Sequence, residues 1–279
     1  MFNLDFFSFV TETGYTVAWA TDTHLDFVDE KQYQEFLLHI KSLKPDVFLI
    51  CGDIATANRL EKTLRGFEKL ACPVYFILGN HDYYGSSIHR IRTGMRELTE
   101  GSSKLHYLTQ MKLVELTPKT VLIGHDSWAD GRAGNFIKSN VMLNDYLYIE
   151  ELAGISKEER WEELKRLSEE GIDHVKHLLP TALERYEQVI FITHPPPFLE
   201  VCLAPDRKLS DDNWAPHFVA KQLGDVLIQI MQKYPKKQLI VLAGHSHTCT
   251  EKKMLPNLHA VVGGAVYFKP KVQGIFSIT

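Results

Sequence analysis

Aspartate, asparagine and histidine, whose side chains bind divalent metal ions, cluster in five short segments of this 279-residue chain. Each cluster directly follows a short apolar run. The clusters read Asp22-Thr-His24, Gly52-Asp53, Gly79-Asn80-His81-Asp82, Thr193-His194 and Gly244-His245-Ser-His247. Mixed carboxylate, amide and imidazole donors suit Mn, Fe, Zn, Co or Ni better than they suit ions that prefer thiolates. The residue types therefore indicate a divalent-metal site.

The spacing within these clusters has a physical use. Residues two apart on an extended segment project to the same side. Asp22 and His24 can therefore bind one ion together, and His245 and His247 can face one pocket. The carboxylate of Asp53 has two oxygens and can bridge two ions. The sequence thus predicts a site for more than one metal ion.

The apolar runs between the clusters predict the elements that position them. Buried strands are predicted at residues 16–20, 47–50, 74–78, 120–123, 189–192 and 239–242. Apolar residues at helical spacing predict helices over 31–43, 57–70, 157–179 and 216–234, the third of them starting at a capping box of Ser156 and Glu159. Further β-structure is predicted over 258–267 and 274–278, broken at glycines 263 and 264.

Strand and helix alternate along most of the chain, which is typical of a layered α/β protein. In such sheets, ligands bind beyond the carboxyl ends of the strands, so clusters far apart in sequence can meet there. We see no repeat, linker or shift in composition that requires a boundary. Residues 1–279 are therefore predicted to form one domain, with a cap or pocket wall within about 83–187.

Composition excludes several other classes of protein. The formal net charge of -4 gives no reason to expect a general nucleic-acid or anionic-membrane binder. The four cysteines lack C-x-x-C spacing, which favours a reducing compartment.

The apolar residues 1–10 contain Asp5 and follow no lysine or arginine, unlike a secretory signal. No apolar run has the length of a membrane span, so we expect a cytoplasmic protein; its oligomeric state is not predicted.

Taken together, the five clusters resemble those of the calcineurin-like metallophosphoesterases. In that family D-x-H, G-D, G-N-H-[DE], H and G-H-x-H occur in this order, and all five are present here between Asp22 and His247. The resemblance implies a layered sandwich of central β-sheets flanked by helices, and two divalent metal ions. It assigns one ion to Asp22, His24, Asp53 and His247, and the other to Asp53, Asn80, His194 and His245.

The resemblance also implies the hydrolysis of phosphoric esters. Two cations would neutralise charge on the phosphoryl oxygens and lower the pKa of a bound water, and the resulting hydroxide would attack phosphorus in line. We assign His81 as the general acid or electrostatic stabiliser of the leaving group. Asp82 is predicted to orient or charge the ring of His81.

Two other functions compete with this interpretation. A noncatalytic scaffold of the same fold is one, but all predicted ligands and His81 are present here. A metal-dependent amide or deaminating hydrolase of barrel type is the other, but its H-x-H usually lies near the start of the chain, whereas here it lies near the end. Small-molecule phosphomonoesters, phosphodiesters including cyclic nucleotides, and nucleotide pyrophosphates all remain open as substrates. A protein phosphatase is disfavoured because residues 52–58 do not continue as G-D-x-x-D-R-G.

Specificity is expected to come from the stretch between Asp82 and His194. Within it, residues 124–132 follow a predicted strand and are rich in polar side chains. His125, Asp126 and Arg132 are candidates to line the substrate pocket, and a compact turn is the alternative for this segment.

Overall fold

The computed structural model describes residues 14–279, and its first sheet has five strands. They are β1 (Tyr15–Ala20), β2 (Val47–Cys51), β3 (Val74–Ile77), β4 (Leu105–Tyr107) and β11 (Gly274–Ile278), in the order β11-β1-β2-β3-β4. Strands β1 to β4 are parallel, and β11 pairs antiparallel with β1. The carboxyl ends of β1, β2 and β3 therefore share one edge of this sheet.

The second sheet has six strands. They are β5 (Val114–Glu115), β6 (Thr120–His125), β7 (Gln188–Thr193), β8 (Gln238–Ala243), β9 (Thr250–Leu255) and β10 (Leu258–Val262), in the order β5-β6-β7-β8-β10-β9. Strands β6, β7, β8 and β10 are parallel, whereas β5 and β9 pair antiparallel at the two sides.

Residues 14–279 contain seven α-helices, and the longer ones cover the outer faces of both sheets. They are α1 (Glu30–Leu43), α2 (Ala57–Phe67), α3 (Ile88–Glu100), α4 (Asp145–Tyr148), α5 (Lys157–Arg185), α6 (Ala215–Phe218) and α7 (Lys221–Lys233). Apolar residues of α1, α2 and α3 pack on the first sheet, and those of α5 and α7 pack on the second. A third core lies between the two sheets. The layers are therefore helix, sheet, sheet and helix, which confirms the predicted fold class.

The surroundings of strand β2 explain why its sequence is apolar without alternation. Phe48 and Ile50 face the helices of the outer layer, whereas Val47, Leu49 and Cys51 belong to the core between the sheets. All five side chains are buried. Because each face of the strand meets another layer, both sets of side chains are removed from water. Burial of each large apolar side chain stabilises the fold by about 1.5–3 kcal/mol.

Most predicted elements are confirmed, with shifted ends. All six predicted strands are present, and the capping box of Ser156 and Glu159 begins α5. Helix α5 continues to Arg185, past the predicted end at residue 179, and includes Pro180. Helix α2 ends at Phe67, three residues before its predicted end. Strand β10 ends at Val262, directly before the two glycines predicted to break it.

The prediction of one continuous helix over 216–234 is wrong. The structure has α6 and α7 there, separated at Val219 and Ala220. The Val219 carbonyl accepts a hydrogen bond from the Asp130 amide (3.3 Å), and the Ala220 amide donates to the Pro196 carbonyl (3.0 Å). These backbone groups bond to neighbouring loops instead of to a helix, which the sequence periodicity does not reveal.

Residues 83–187 do more than form a cap. They supply β4, β5, β6, α3 and α5, which belong to both sheets and both helical layers. The interpretation of residues 1–10 lies outside the described residues, and the assignment of the whole chain to one domain stays a prediction. Among residues 14–279, no helix combines the length and the apolar character needed to cross a bilayer.

Candidate active site

The ends of three strands bring four of the predicted ligands together. Asp22 and His24 follow β1, Asp53 follows β2, and His247 follows β8 in the other sheet. Each residue offers one ligand atom, and these atoms all lie within 4.8 Å of one another. The cluster therefore joins the carboxyl ends of strands from both sheets, as expected for a ligand site in an α/β fold.

The contacts within this cluster fit a cation. Nε2 of His24 lies 3.2 Å from Nε2 of His247, and at most one of these two nitrogens can donate to the other. Nε2 of His247 also lies 3.3 Å from Oδ1 of Asp22, and Nε2 of His24 lies 3.8 Å from Oδ2 of Asp53. Lone pairs from two imidazoles and two carboxylates thus face one small volume, which is the donor set that divalent transition metals prefer.

A second group of predicted ligands lies on the other side of Asp53. Nδ1 of His194 donates to the Cys51 carbonyl (2.8 Å), which directs Nε2 towards the site. That Nε2 lies 3.3 Å from Oδ1 of Asp53 and 3.0 Å from Oδ1 of Asn80. The two oxygens of Asp53 therefore face different histidines, which is the arrangement that a bridging carboxylate requires.

His245 is the most enclosed of the histidines that follow β8. Its ring centroid lies 5.1 Å from that of His194, and Phe218 stacks on its face at 4.6 Å. Nε2 donates to the His217 carbonyl (3.1 Å), which leaves Nδ1 as the nitrogen that can bind an ion.

Five of these residues adopt left-handed backbone conformations. Their φ angles are 49° at Asp22, 41° at His24, 53° at Asp53, 68° at His245 and 56° at His247. Such conformations cost about 1–3 kcal/mol each for residues other than glycine and concentrate at functional sites. Here the left-handed residues are themselves predicted ligands, and they lie directly after β1, β2 and β8.

Burial and charge set the protonation of the site. Burial lowers the pKa of His24 to about 4 and that of His245 to about 4, so both imidazoles keep a free lone pair at neutral pH. Burial alone would also lower the pKa of His194, but the Asp53 carboxylate raises it to about 10. Asp53 itself has a pKa well below its usual value, because His194 and His81 outweigh the effect of its burial. Asp53 therefore stays ionised and carries negative charge that a cation can neutralise.

Glycines in the motifs make room for these contacts. A Cβ on Gly52 would lie 2.6 Å from the amide nitrogen of Gly79 and 2.7 Å from Nδ1 of His194, and the φ of Gly52 is +84°. A Cβ on Gly244 would lie 2.1 Å from Oδ2 of Asp22. Only glycine lets these strand ends approach so closely.

Comparison with known families decides the relationship. Residues 15–249 match the family described as calcineurin-like phosphoesterase. The chain belongs to this family. It is therefore a metallophosphoesterase, a hydrolase of phosphoric esters, and its cofactor is a pair of divalent metal ions. The resemblance inferred from the five motifs is confirmed.

Solved structures share the fold of this phosphoesterase. A dimetal phosphatase from Danio rerio is 13% identical, with a TM-score of 0.58 over 91% of this chain and 88% of the other. A protein from Thermus thermophilus is 11% identical, with a TM-score of 0.51 over 90% of each chain. A search of curated proteins finds no match. At such low identity, these structures support the fold and not a substrate.

His81 lies at the mouth of the phosphoesterase site. Its ring centroid is 4.5 Å from that of His24, and Tyr84 stacks on it at 4.4 Å. Its backbone amide donates to Oδ1 of Asp53 (2.9 Å). The half-buried side chain remains open to the cavity above the site.

Asp82 lies beneath that loop and is fully buried. Its Oδ1 accepts hydrogen bonds from the amides of Ile54 (2.8 Å) and Ala55 (2.9 Å), and its Oδ2 accepts from the amide of Gly79 (2.7 Å). These bonds clamp the loops after β2 and β3 together. The predicted contact with the His81 ring is not among them, so the geometry supports a positioning role for Asp82 instead.

His125 and Arg132 lie away from the cavity. His125 is buried, and its Nδ1 accepts a hydrogen bond from the amide of Ser127 (2.9 Å). Arg132 lies 3.4 Å from Asp130 and 3.5 Å from Glu169. Neither lines the cavity of about 670 Å³ above the site, so this placement does not support their predicted contact with substrate.

Asp126 holds the loop of residues 79–82 in place through hydrogen bonds. Its Oδ1 accepts from the amide of Leu78 (2.8 Å) and the hydroxyl of Thr109 (2.6 Å), and its Oδ2 accepts from the hydroxyl of Tyr83 (2.9 Å) and from Nε of Arg92 (3.2 Å). Leu78 and Tyr83 bracket residues 79–82. Asp126 therefore anchors the loop that carries Asn80 and His81, and does not line the pocket.

Sequence reasoning missed Asp145 and Tyr267. Asp145, at the start of α4, is buried and accepts hydrogen bonds from Nδ2 of Asn80 (2.8 Å) and from the hydroxyl of Tyr84 (2.5 Å). The ring of Tyr267 lies 4.6 Å from that of His24. Neither residue belongs to a recognisable motif, and only the tertiary fold places them beside the metal ligands.

A cavity of about 670 Å³ opens above the predicted metal ligands. Its floor includes Asp53, Asn80, His81, His245 and His247. The predicted wall region, residues 83–187, contributes only Tyr84 and residues 143–145. The larger part of the wall comes from residues between 202 and 218, a segment that the sequence analysis did not associate with specificity.

Proposed function

We propose that this chain hydrolyses small-molecule phosphoric esters at a two-metal centre formed by the seven predicted ligands. The observation that carries this conclusion is the meeting of Asp22, His24, Asp53 and His247, whose ligand atoms lie within 4.8 Å of one another although they come from three separate strand ends. Family membership supports the same reaction class.

The ligands divide into two sets that share one carboxylate. Asp22, His24, Asp53 and His247 would hold the first ion, and Asp53, Asn80, His194 and His245 would hold the second. The opposite directions of the two Asp53 oxygens support this division, since Oδ2 faces His24 and Oδ1 faces His194. When bound, the ions supply Lewis acidity towards the phosphoryl oxygens and a water of lowered pKa.

His81 donates the proton to the leaving oxygen. Three observations support this role: the ring lies next to His24, it lines the cavity, and its backbone is fixed by the hydrogen bond to Asp53. Stacking on Tyr84 holds the plane of the ring. General acids of this kind typically contribute about a hundredfold to ten-thousandfold in rate.

Asp82 and Asp126 position this acid without touching substrate. Asp82 clamps the loops after β2 and β3, and Asp126 fixes residues on both sides of His81.

A small-molecule substrate is supported by the cavity volume of about 670 Å³, which lies in the usual range for such ligands. A cytoplasmic location is supported by four cysteines that are all unpaired.

Metal depletion and reconstitution test this function. Protein treated with a chelator should lose hydrolysis of bis(p-nitrophenyl) phosphate and of p-nitrophenyl phosphate, and should regain it with Mn²⁺, Ni²⁺, Co²⁺ or Zn²⁺. Asp53→Asn should show no detectable turnover and should bind less metal by elemental analysis. Asp225→Asn, a change of the same type at an exposed aspartate paired with Lys221, is the matched control.

A noncatalytic scaffold predicts a different result. Protein that binds two ions per chain but turns over no phosphate ester across the metal panel would overturn the hydrolase proposal. Protein that binds no ion at all would overturn the assignment of the ligands as well.

A further inference from the structure

Two cavities, not one, meet at His81, beside the predicted metal ligands. The first is the cavity of about 670 Å³ walled by residues between 202 and 218. The second is a more open groove of about 700 Å³ that runs towards Phe27 and Phe268. The two share four lining residues, which are His81, Tyr84, Asn144 and Tyr267. The leaving-group acid His81 therefore stands at the junction of two spaces, each large enough for a small organic group.

Apolar side chains line both spaces and remain exposed. In the first cavity, Trp214 is 48% exposed and Leu209 is 53% exposed. In the groove, Phe27 is 41%, Tyr148 53% and Phe268 57% exposed. Apolar surface grouped in this way beside a polar centre usually marks a ligand-binding site. Flat rings on both sides suit flat groups of a substrate, such as an aryl group or a nucleobase.

The charges of the two spaces limit what they can hold. Among the described residues that line them, Lys208 is the only lysine or arginine, and its Nζ lies 2.8 Å from Oδ2 of Asp206. Asp145 and Asp211 add further acidic groups to the first cavity. A second phosphate group beyond the metal ions would normally be matched by arginine or lysine. The lining therefore disfavours nucleotide pyrophosphates.

We propose that the substrate is a phosphodiester with two uncharged arms, at least one of them carrying a flat ring. This inference rests on the proposed hydrolytic function. The phosphoryl group lies over the metal ligands, one arm enters the first cavity, and the other enters the groove. A phosphomonoester would leave one of the two apolar spaces empty.

The reaction is then the hydrolysis of one ester bond. Water adds its oxygen to phosphorus, the bond from phosphorus to one arm breaks, and the leaving oxygen takes up a proton. The products are one alcohol and one phosphomonoester. Because the monoester fills only one space and carries more negative charge near the acidic wall, it binds more weakly than the diester.

Three substrates with the same leaving group test this inference on the metal-loaded enzyme. They are thymidine 5′-(p-nitrophenyl phosphate), methyl p-nitrophenyl phosphate and p-nitrophenyl phosphate. We expect kcat/KM for the thymidine diester to exceed that for the methyl diester by about tenfold or more, on the scale of base stacking on aromatic side chains. Both diesters should exceed the monoester.

Variants in each space give a second measurement. The p-nitrophenyl group occupies one space in both diesters. The alanine variant in the space that holds thymidine, either Trp214→Ala in the first cavity or Phe268→Ala in the groove, should therefore lower the ratio of thymidine-diester to methyl-diester kcat/KM, mainly through KM. Trp214→Phe, which keeps a flat ring, should retain most of the ratio. Leu38→Ala removes an exposed apolar side chain of α1 outside both spaces and should leave the ratio unchanged.

A binding measurement does not depend on turnover. Diphenyl phosphate should quench tryptophan fluorescence at lower concentration than phenyl phosphate or dimethyl phosphate does, and Trp214→Phe should remove most of this signal.

A monoester hydrolysed as well as either diester would overturn the inference while the hydrolase proposal stands. Equal turnover of the two diesters, or a ratio unaffected by both alanine variants, would also overturn it. Absence of turnover with all three substrates would overturn both.

Discussion

The side-chain amide of Asn80 donates from Nδ2 to Oδ1 of Asp145 at 2.8 Å, while its Oδ1 faces Nε2 of His194 at 3.0 Å. A carboxylate accepts hydrogen bonds and does not donate them when ionised. Asp145 therefore fixes which end of the amide faces the metal site. The oxygen, which can bind an ion, is turned inward, and the nitrogen, which cannot, is turned away.

Removing this carboxylate should weaken the second metal site more than the first. We expect Asp145→Ala to lower the affinity for the second ion by about tenfold to a hundredfold, as is usual for the partners of metal ligands. Asp145→Asn should cost less, because its carbonyl can still accept from Asn80. Calorimetric titration of metal-depleted protein with Mn²⁺ measures both steps.

The exposed Asp173 provides a matched control for Asp145, since its side chain is 75% exposed. Asp173→Asn should bind both ions as the wild type does. Identical second-ion affinities in Asp145→Ala and wild type would show that the amide needs no fixed partner.

His81 should matter most for substrates with poor leaving groups. His81→Gln removes the acid, so we expect kcat to fall by about a hundredfold to ten-thousandfold for a dinucleotide, whose leaving alkoxide needs a proton. The loss should be smaller for bis(p-nitrophenyl) phosphate, because p-nitrophenolate leaves without one. Metal content should be unchanged, which separates this variant from a ligand variant.

The exposed His89 in α3 serves as the control for His81, and His89→Gln should leave both rates unchanged. An equal loss for both leaving groups in His81→Gln would indicate that the ring stabilises charge and does not transfer the proton.

Asp126 should support stability as well as the site. Asp126→Asn weakens its bonds to Tyr83 and Thr109 and leaves the largely buried Arg92 with less compensation, so we expect the free energy of unfolding to fall by about 2–3 kcal/mol. Urea denaturation measures this as a lower midpoint. Asp225→Asn, at an exposed ion pair, should change stability by about 0.5 kcal/mol or less.

The pH dependence of stability checks the same group. Burial alone would raise the pKa of Asp126, but Arg92 and His125 hold it below the ordinary value. A lowered pKa in the folded state stabilises the protein above the unfolded value of about 3.9, and this stabilisation is lost as the pH falls below it. As the pH falls below about 4, wild type should therefore lose stability more steeply than Asp126→Asn. Parallel curves would contradict this assignment.

The glycine after β2 should tolerate no side chain. In Gly52→Ala, the new Cβ would meet Gly79 and His194, and the positive φ would add backbone strain. We therefore expect the free energy of unfolding to fall by about 2–4 kcal/mol and metal binding to weaken. Thermal unfolding and elemental analysis give the two readouts. Gly94→Ala lies within α3 with open space around its Cβ, and it should stabilise the protein by about 0.5–1 kcal/mol. Full metal occupancy in Gly52→Ala would contradict the close-packing argument.

The amino-acid sequence alone determined the strand runs and the family, and it predicted the metal ligands. Strands such as β2 are apolar on both faces because two layers cover them, and this produces a continuous run that is visible without a structure. The ligand motifs are equally local, since each occupies a few residues directly after a strand. Patterns that involve only neighbouring residues can be recognised in a single sequence.

Tertiary structure decided what surrounds those ligands. Asp145 meets Asn80 across 65 residues, Asp126 meets Leu78 across 48, and the wall between 202 and 218 lies over a site whose first ligand is Asp22. Asp82, which follows His81 in the chain, bonds instead to amides of the neighbouring loop. These contacts depend on how two sheets and their loops pack, and packing over such separations leaves no periodicity or spacing in the chain itself.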